Sequence, residues 1–292
     1  MAGTMALTGE QINQAVDKVK QIRPAYAEIL DFYGQLFIVQ EDSKENIAID
    51  PIIISETALA QKREAHFPLI NISDFVIDEA ASQTLFKQIC RMATGVTEKM
   101  GDTAEAILEA IDNERMDLPR LFSGLLNEDD ADLKRLADGL KIDGEVLALI
   151  AYASINPSIV LNTEQLSTFL DKEASWEKGY CPICGQMPGF ALFEDQGKRS
   201  FFCSFCRHQW LAPRRFCPFC ENREEKTLAY FFSEAEKEYR VDVCEKCHQY
   251  IKTLDMRNTE RIIYVPLEQV ATLHLDIKAK AKGLESGVAL NI

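Results

Sequence analysis

A basic excess is the first thing this chain lacks. Its 32 Lys and Arg stand against 46 Asp and Glu, a formal net charge of −14. Nucleic-acid binding through bulk electrostatics needs a basic footprint, so that class of function is disfavoured. Histidine is scarce at four residues, and none sits beside an evident nucleophile and second acid, so no catalytic constellation is expected. Long apolar runs are missing too. The longest uncharged run, Val146 to Thr163, is 18 residues and contains Asn156-Pro157-Ser158. That predicts a buried helix followed by a turn, with no membrane insertion. The opening MAGTMALTGEQINQ has no basic segment followed by an apolar one. No secretory signal is expected, and a reducing cytoplasm is the expected compartment.

Against these absences stands a surplus of cysteine. Eight of nine fall into four Cys-x-x-Cys pairs: Cys181/Cys184, Cys203/Cys206, Cys217/Cys220 and Cys244/Cys247. Such a pair puts two sulfurs on one side of a tight turn, and two facing turns complete a tetrahedron of thiolates for Zn or Fe. In a reducing compartment, metal ligands are a better reading than disulfides. Two pairings are open, sequential or interleaved. Cys-Pro-Ile-Cys and Cys-Pro-Phe-Cys open the two halves, and His208-Gln209-Trp210 and His248-Gln249-Tyr250 close them. This internal repeat favours sequential pairing.

The remaining chain reads as α+β. From Thr8 to about Lys172 the pattern is helical and irregular, without a repeat. Thr8-Gly9-Glu10-Gln11 fits a capping box ahead of Ile12, Val16 and Val19. Pro24 can open a second helix, the type of Ile52–Ile54 is undecided, Ser73–Met92 reads as helix, and Asp102 is a candidate cap. Shorter helices are expected near 118–125, 130–138, 144–154 and 163–171, with the acidic 127–132 stretch marking a helix start. Short β-prone runs then separate the cysteine pairs, at 190–193, 200–202, 228–232, 239–243 and 250–254. A last helix is expected over Pro266–Lys282, with Val270, Leu273 and Ile277 on one face. The expected organisation is a helical domain over 1–177, a first metal module over 178–214, and a second over 215–292 carrying the C-terminal helix.

Other chemistry-bearing residues have plain readings. Cys90 lies on the apolar side of its helix, as a small buried hydrophobe does. His208 and His248 could replace a ligand but are better read as shaping their knuckles. His274 could work with Asp276 as an acid/base, though a structural role fits better. Arg207, Arg214 and Arg215 with Trp210 form a basic aromatic cluster on a ribbon surface.

Taken in order, the motifs resemble those of the formate dehydrogenase accessory (FdhE) family. They are Cys181-Pro-Ile-Cys-Gly-Gln-Met-Pro188, Gly197-Lys-Arg-Ser200, Trp210, Arg214-Arg-Phe-Cys217, Cys244-Glu-Lys-Cys247-His-Gln-Tyr250-Ile-Lys252 and Leu267–Asp276. The resemblance implies two rubredoxin-like modules joined to a helical domain, with the eight paired cysteines as metal ligands. It also implies a cytoplasmic, non-enzymatic accessory protein that meets the catalytic subunit of formate dehydrogenase before export or assembly. Two alternatives remain on the residues alone: a rubredoxin-like electron-transfer or redox-sensing module, and, against the charge, a nucleic-acid-binding zinc ribbon.

Overall fold

A computed structural model describes residues 7–233 and 236–288. The outer ends of the two flanking expected domains, 1–6 and 289–292, lie outside the described residues.

Polar caps start most of the helices. In α1 (Gly9–Ile22) the Gln11 N–H donates to Thr8 Oγ1 and the Thr8 N–H donates to Gln11 Oε1, at 3.3 and 2.9 Å, completing the capping box. Ile12, Val16 and Val19 turn inward. A short 3₁₀ turn at Pro24–Tyr26 leads into α2 (Ala27–Ser43). Next come α3 (Glu56–Ala65), α4 (Glu79–Ala93), α5 (Glu98–Asp112), α6 (Leu118–Leu126) and α7 (Asp130–Leu140). Their caps are Ser55, Asp78, Thr97, Asp117 and Asp129. Asp102 is therefore not a cap. Thr97 already takes the Met100 N–H one turn earlier, and nothing between them breaks the helix. Helix α3 escaped the sequence pattern because none of its residues is buried, so no apolar stripe marks it.

The expected break at Pro157 does not occur: α8 (Gly144–Ser167) runs through it. Proline there removes the donor for the Ala153 carbonyl, which ordinarily disrupts a helix. The buried Gln40 side chain supplies it, donating Nε2–H to that carbonyl at 2.7 Å. By length and composition α8 could cross a membrane, but 61% of its most apolar window is buried inside the protein, as in a core helix.

Both cysteine-bearing halves share one sheet. Its strands are β1 (Pro188–Phe193), β2 (Arg199–Cys203), β3 (Gln209–Ala212), β4 (Leu228–Phe232), β5 (Tyr239–Cys244), β6 (Gln249–Asp255) and β7 (Glu285–Ser286). The order is β3-β2-β1-β6-β5-β4, with β7 beside the start of β6. Each half is an antiparallel ladder, and the parallel β1–β6 pairing at Ala191↔Thr253 and Phe193↔Asp255 joins them. One face buries Phe190, Leu192, Phe202, Val241 and Leu254 beneath α9 (Val265–Ala271) and α10 (Leu273–Ala281). The expected single C-terminal helix breaks at Thr272, which resets its phase. Leu275 and Ala279 face the sheet, and Ile277 is 68% exposed instead of inward.

The chain forms two compact units. One comprises the residues up to Ile52 and Ile72–Asn162; the other comprises Ile53–Asn71 and the residues from Thr163 onward, including the whole sheet. Residues 53–71, counted with the helical domain in the sequence reading, thus group with the cysteines.

Candidate metal centres

The four Cys-x-x-Cys turns share one backbone device. The residue after the second cysteine is left-handed in every case: Gly185 (φ 79°), Arg207 (φ 61°), Glu221 (φ 56°) and His248 (φ 58°). That conformation folds the chain back under the sulfurs, at a modest steric cost for the three residues that carry a Cβ. Cross-turn hydrogen bonds lock it: Cys181, Cys203 and Cys217 donate N–H to the carbonyls of Gln186, His208 and Asn222 at 2.8–2.9 Å. Backbone N–H groups also point at sulfur, with Phe205 and Cys206 donating to Cys203 Sγ at 3.4 Å. In the second half, Asn222 Nδ2 donates to Cys244 Sγ at 3.5 Å.

The turns assemble sequentially. Cys181, Cys184, Cys203 and Cys206 form one cluster, and Cys217, Cys220, Cys244 and Cys247 the other, with all ligand atoms of each within 4.8 Å. Across the turns the sulfurs stand 3.5–3.6 Å apart in the first cluster and 3.6–3.7 Å in the second. A disulfide would need about 2.05 Å. Four sulfurs at a metal–sulfur distance of about 2.3 Å form a tetrahedron with edges of about 3.8 Å. No disulfide joins the cysteines, and their spacing fits an ion of that size.

Electrostatics agrees. Burial pushes the Cys181 and Cys184 thiols well above their ordinary value. Burial also opposes ionisation of Cys203, yet hydrogen bonds from its three partner thiols outweigh it and hold its pKa well below the thiol range. In the second cluster burial works against Cys244, but the Cys247 N–H and the Asn222 amide bring it down to about 7. Cys247 is pushed up to about 11, chiefly by burial. Crowded thiols without a cation thus divide their charge unequally, whereas one divalent ion lets all four ionise together. The clusters differ in access: every cysteine of the first is buried, whereas Cys220 is exposed and Cys247 partly so. A chelator such as EDTA should therefore strip the second cluster at least about tenfold faster, followed as two phases of metal release.

No protein-family model matches the chain. It is, however, 36% identical over 126 residues to the FdhE homologue of Aquifex aeolicus, a match covering 40% of this chain and 44% of that protein. A second match, to the FdhE homologue of Shewanella sp., is 32% identical over 39% of this chain and 38% of the relative. Over the matched stretch the chain is similar to the FdhE proteins. The matches span less than half the length of these FdhE relatives. At the level of fold, the likeness to the crystal structure of the FdhE protein from Pseudomonas aeruginosa extends over 98% of this chain and 97% of that one. The TM-score is 0.67 at 18% identity.

Other candidate residues fall outside both clusters. His208 stacks on Trp210, ring centroids 6.2 Å apart, and burial lowers it to about 4, so it is neutral at physiological pH. His248 occupies a left-handed turn position. His274 meets Glu236 at 2.7 Å, not Asp276, which accepts from Tyr250 and Lys252. Cys90 is fully buried in α4, and burial raises its thiol to about 12. Cys90→Ser should cost about 1–2 kcal/mol without changing metal content, measured by denaturant titration and elemental analysis.

Sequence reasoning missed the clamp on the first cluster. Leu69 and Ile70 donate N–H to the carbonyls of Pro182 and Ile183, both at 2.9 Å, inside the Cys181–Cys184 turn. Tyr180 Oη–H donates to the His66 carbonyl, and Trp176 Nε1–H to the Tyr180 carbonyl. More than a hundred residues separate the 66–70 backbone from its partners, and backbone pairing leaves no side-chain signature, so no local pattern reveals it. Gly179 was similarly silent. A Cβ there would lie 1.7 Å from the Pro218 carbonyl oxygen, in the opening turn of the second cluster. Gly179→Ala must displace backbone, and a loss at the upper end of about 1–3 kcal/mol is expected in thermal unfolding.

Proposed function

We propose that this protein is a cytoplasmic, non-enzymatic accessory factor that binds the catalytic subunit of formate dehydrogenase and is needed for that enzyme's activity. The eight paired cysteines ligate its two metal ions, Zn or Fe. The observation that carries this reading is the pair of four-sulfur clusters, with tetrahedral spacing, in a chain similar to FdhE proteins. Four protein thiolates fill a tetrahedral ion and leave no position for substrate, which suits a structural or electron-carrying metal better than a hydrolytic one. The expected organisation of a helical domain followed by two metal modules belongs to the same proposal, with 53–71 added to the metal part. The test is co-purification of the intact protein with the catalytic subunit, together with formate dehydrogenase activity in cells carrying or lacking it. Capture of the subunit and loss of activity on deletion support the reading. Full activity without the protein and no capture would remove it.

The exposed Cys220 favours a second reading, a redox module like rubredoxin. Iron held by four thiolates is one-electron active, and an accessible sulfur shortens the path for transfer; zinc has no such chemistry. Protein purified without oxygen and then exposed to air decides the matter. Thiolate-to-Fe(III) charge-transfer absorption supports redox work, and a featureless visible spectrum with two zinc ions per chain excludes it.

A further inference from the structure

The face of the sheet opposite α9 and α10 carries a feature that neither metal cluster explains. A cavity of about 480 Å³ opens there beside Cys217 and Cys244, and five arginines line it: Arg199, Arg214, Arg215, Arg240 and Arg257. Their neutralisation is incomplete. Asp242 serves two of them, accepting from Arg199 Nη2 at 3.0 Å and pairing with Arg240 Nε at 2.8 Å. Arg215 pairs with Glu225 and Arg257 with Asp255. Among the described ion pairs Arg214 has none, and it is exposed. Five arginines thus face three carboxylates and the sulfurs of the second cluster, and the exposed Arg214 is left to meet an anionic group from outside the chain.

The cavity adjoins the outer strand β4, which among the described residues pairs with β5 alone. Its sequence, Leu228-Ala-Tyr-Phe-Phe232, is β-prone and apolar, yet Tyr230 is 57% and Phe232 45% exposed. Register puts these rings on the arginine side: Phe232 opposes Arg240 and Tyr230 opposes Asp242. The two rings stack on each other, and the Arg240 guanidinium lies over the Tyr230 ring at 4.7 Å. An apolar outer strand that holds no lysine or proline and has no second strand beside it among the described residues is a template for pairing. Tyr and Arg are also the residue types that anchor protein interfaces.

We infer that β4 and the neighbouring arginines bind an extended acidic peptide segment of a partner protein, which adds to the sheet as a further strand and sets its carboxylates against Arg214, Arg215 and Arg240. Backbone pairing supplies register, and the arginines select negative side chains over positive ones. The surface is defined by this chain alone and stands whether or not the client is formate dehydrogenase.

The test uses the full metal-loaded chain and synthetic fluorescent peptides. One alternates glutamate with valine, a second alternates lysine with valine, and a third carries two prolines at the centre of the glutamate sequence. The glutamate peptide should bind and should slow hydrogen exchange of the β4 amides. The lysine and proline peptides should bind at least about tenfold more weakly, given that each loses either charge or strand pairing. Arg214→Glu with Arg215→Glu, both at exposed positions, should weaken the glutamate peptide at least tenfold with metal content unchanged. Tyr230→Ser, a second variant, should weaken it without altering its salt dependence. Absence of binding, equal binding of the lysine peptide, or insensitivity to the arginine changes would overturn the inference. So would equal binding of the proline peptide, or displacement by inorganic phosphate or an RNA oligonucleotide, which would make the cavity a general anion site.

Discussion

Replacing both Cys181 and Cys184 by serine should remove not one metal ion per chain but both. A structural ion held by thiolates contributes apparent binding free energy of about 10–16 kcal/mol to folding. A whole domain is typically stable by about 5–15 kcal/mol. Loss of one site therefore exceeds what the sheet-bearing unit can tolerate. The second half's own ladder, β4-β5-β6, is bonded along β6 to β1 of the first half, so unfolding of the first half strips a strand partner from the second. The apolar face under α9 and α10 also draws on both halves, Phe190 and Phe202 from one, Val241 and Leu254 from the other. Elemental analysis should give well under one metal per chain. Far-UV circular dichroism should retain the signal of α1, α2 and α4–α7, which belong to the other compact unit. Retention of one full equivalent of metal in a soluble, folded sheet would show that the halves fold separately.

Glu268→Ala should be the most damaging single change away from the cysteines. Glu268 in α9 has no solvent exposure and accepts from Arg261 at 2.5 and 2.9 Å and from the Tyr239 hydroxyl at 2.5 Å. Removing the carboxylate leaves a guanidinium, itself only 7% exposed, with Glu238 at 3.5 Å as its one remaining described carboxylate. Breaking such a pair from one side costs about 3–5 kcal/mol. In a unit of this size that is roughly a 10–20 °C fall in thermal midpoint. Glu268→Leu combined with Arg261→Met should recover most of it, since the cost lies in the unpaired charge and not in the missing bond. A single variant that melts within a degree or two of the parent would show that water reaches Arg261.

How far the sequence could be read depended on the range of each signal. The cysteine knuckles are local and chemically specific, and sulfur spacing within 4.8 Å follows the grouping suggested by the repeated Cys-Pro-x-Cys and His-Gln motifs. Strands β1, β2, β4, β5 and β6 were legible as β-prone runs, while the four-residue β3 and two-residue β7 were too short to show a period. The Thr8 cap and the helix start in the acidic 127–132 stretch were legible because such signals act within one turn, and the structure makes Asp129 the cap there. What was illegible acts at a distance. Gln40 rescues Pro157 from over a hundred residues away, and the parallel β1–β6 pairing joins residues more than sixty positions apart. The arginine cluster was noticed but misgrouped. Arg214 and Arg215 share their cavity with Arg199, Arg240 and Arg257 from other segments, while Arg207 instead meets the Tyr264 hydroxyl.

The clamp of residues 66–70 on the first cysteine turn has a consequence for the order of events at the ribosome. The chain emerges N-terminus first, so Leu69 and Ile70 are synthesised long before the Pro182 and Ile183 carbonyls they bond. During that interval the helices on either side of 53–71 are complete, while the segment between them waits for its partners. The cysteine-bearing unit cannot be made as a late, self-contained cassette. Its first piece is already in the nascent chain when its first cysteine pair appears, and closure of that cysteine turn and recruitment of the early strip become a single event.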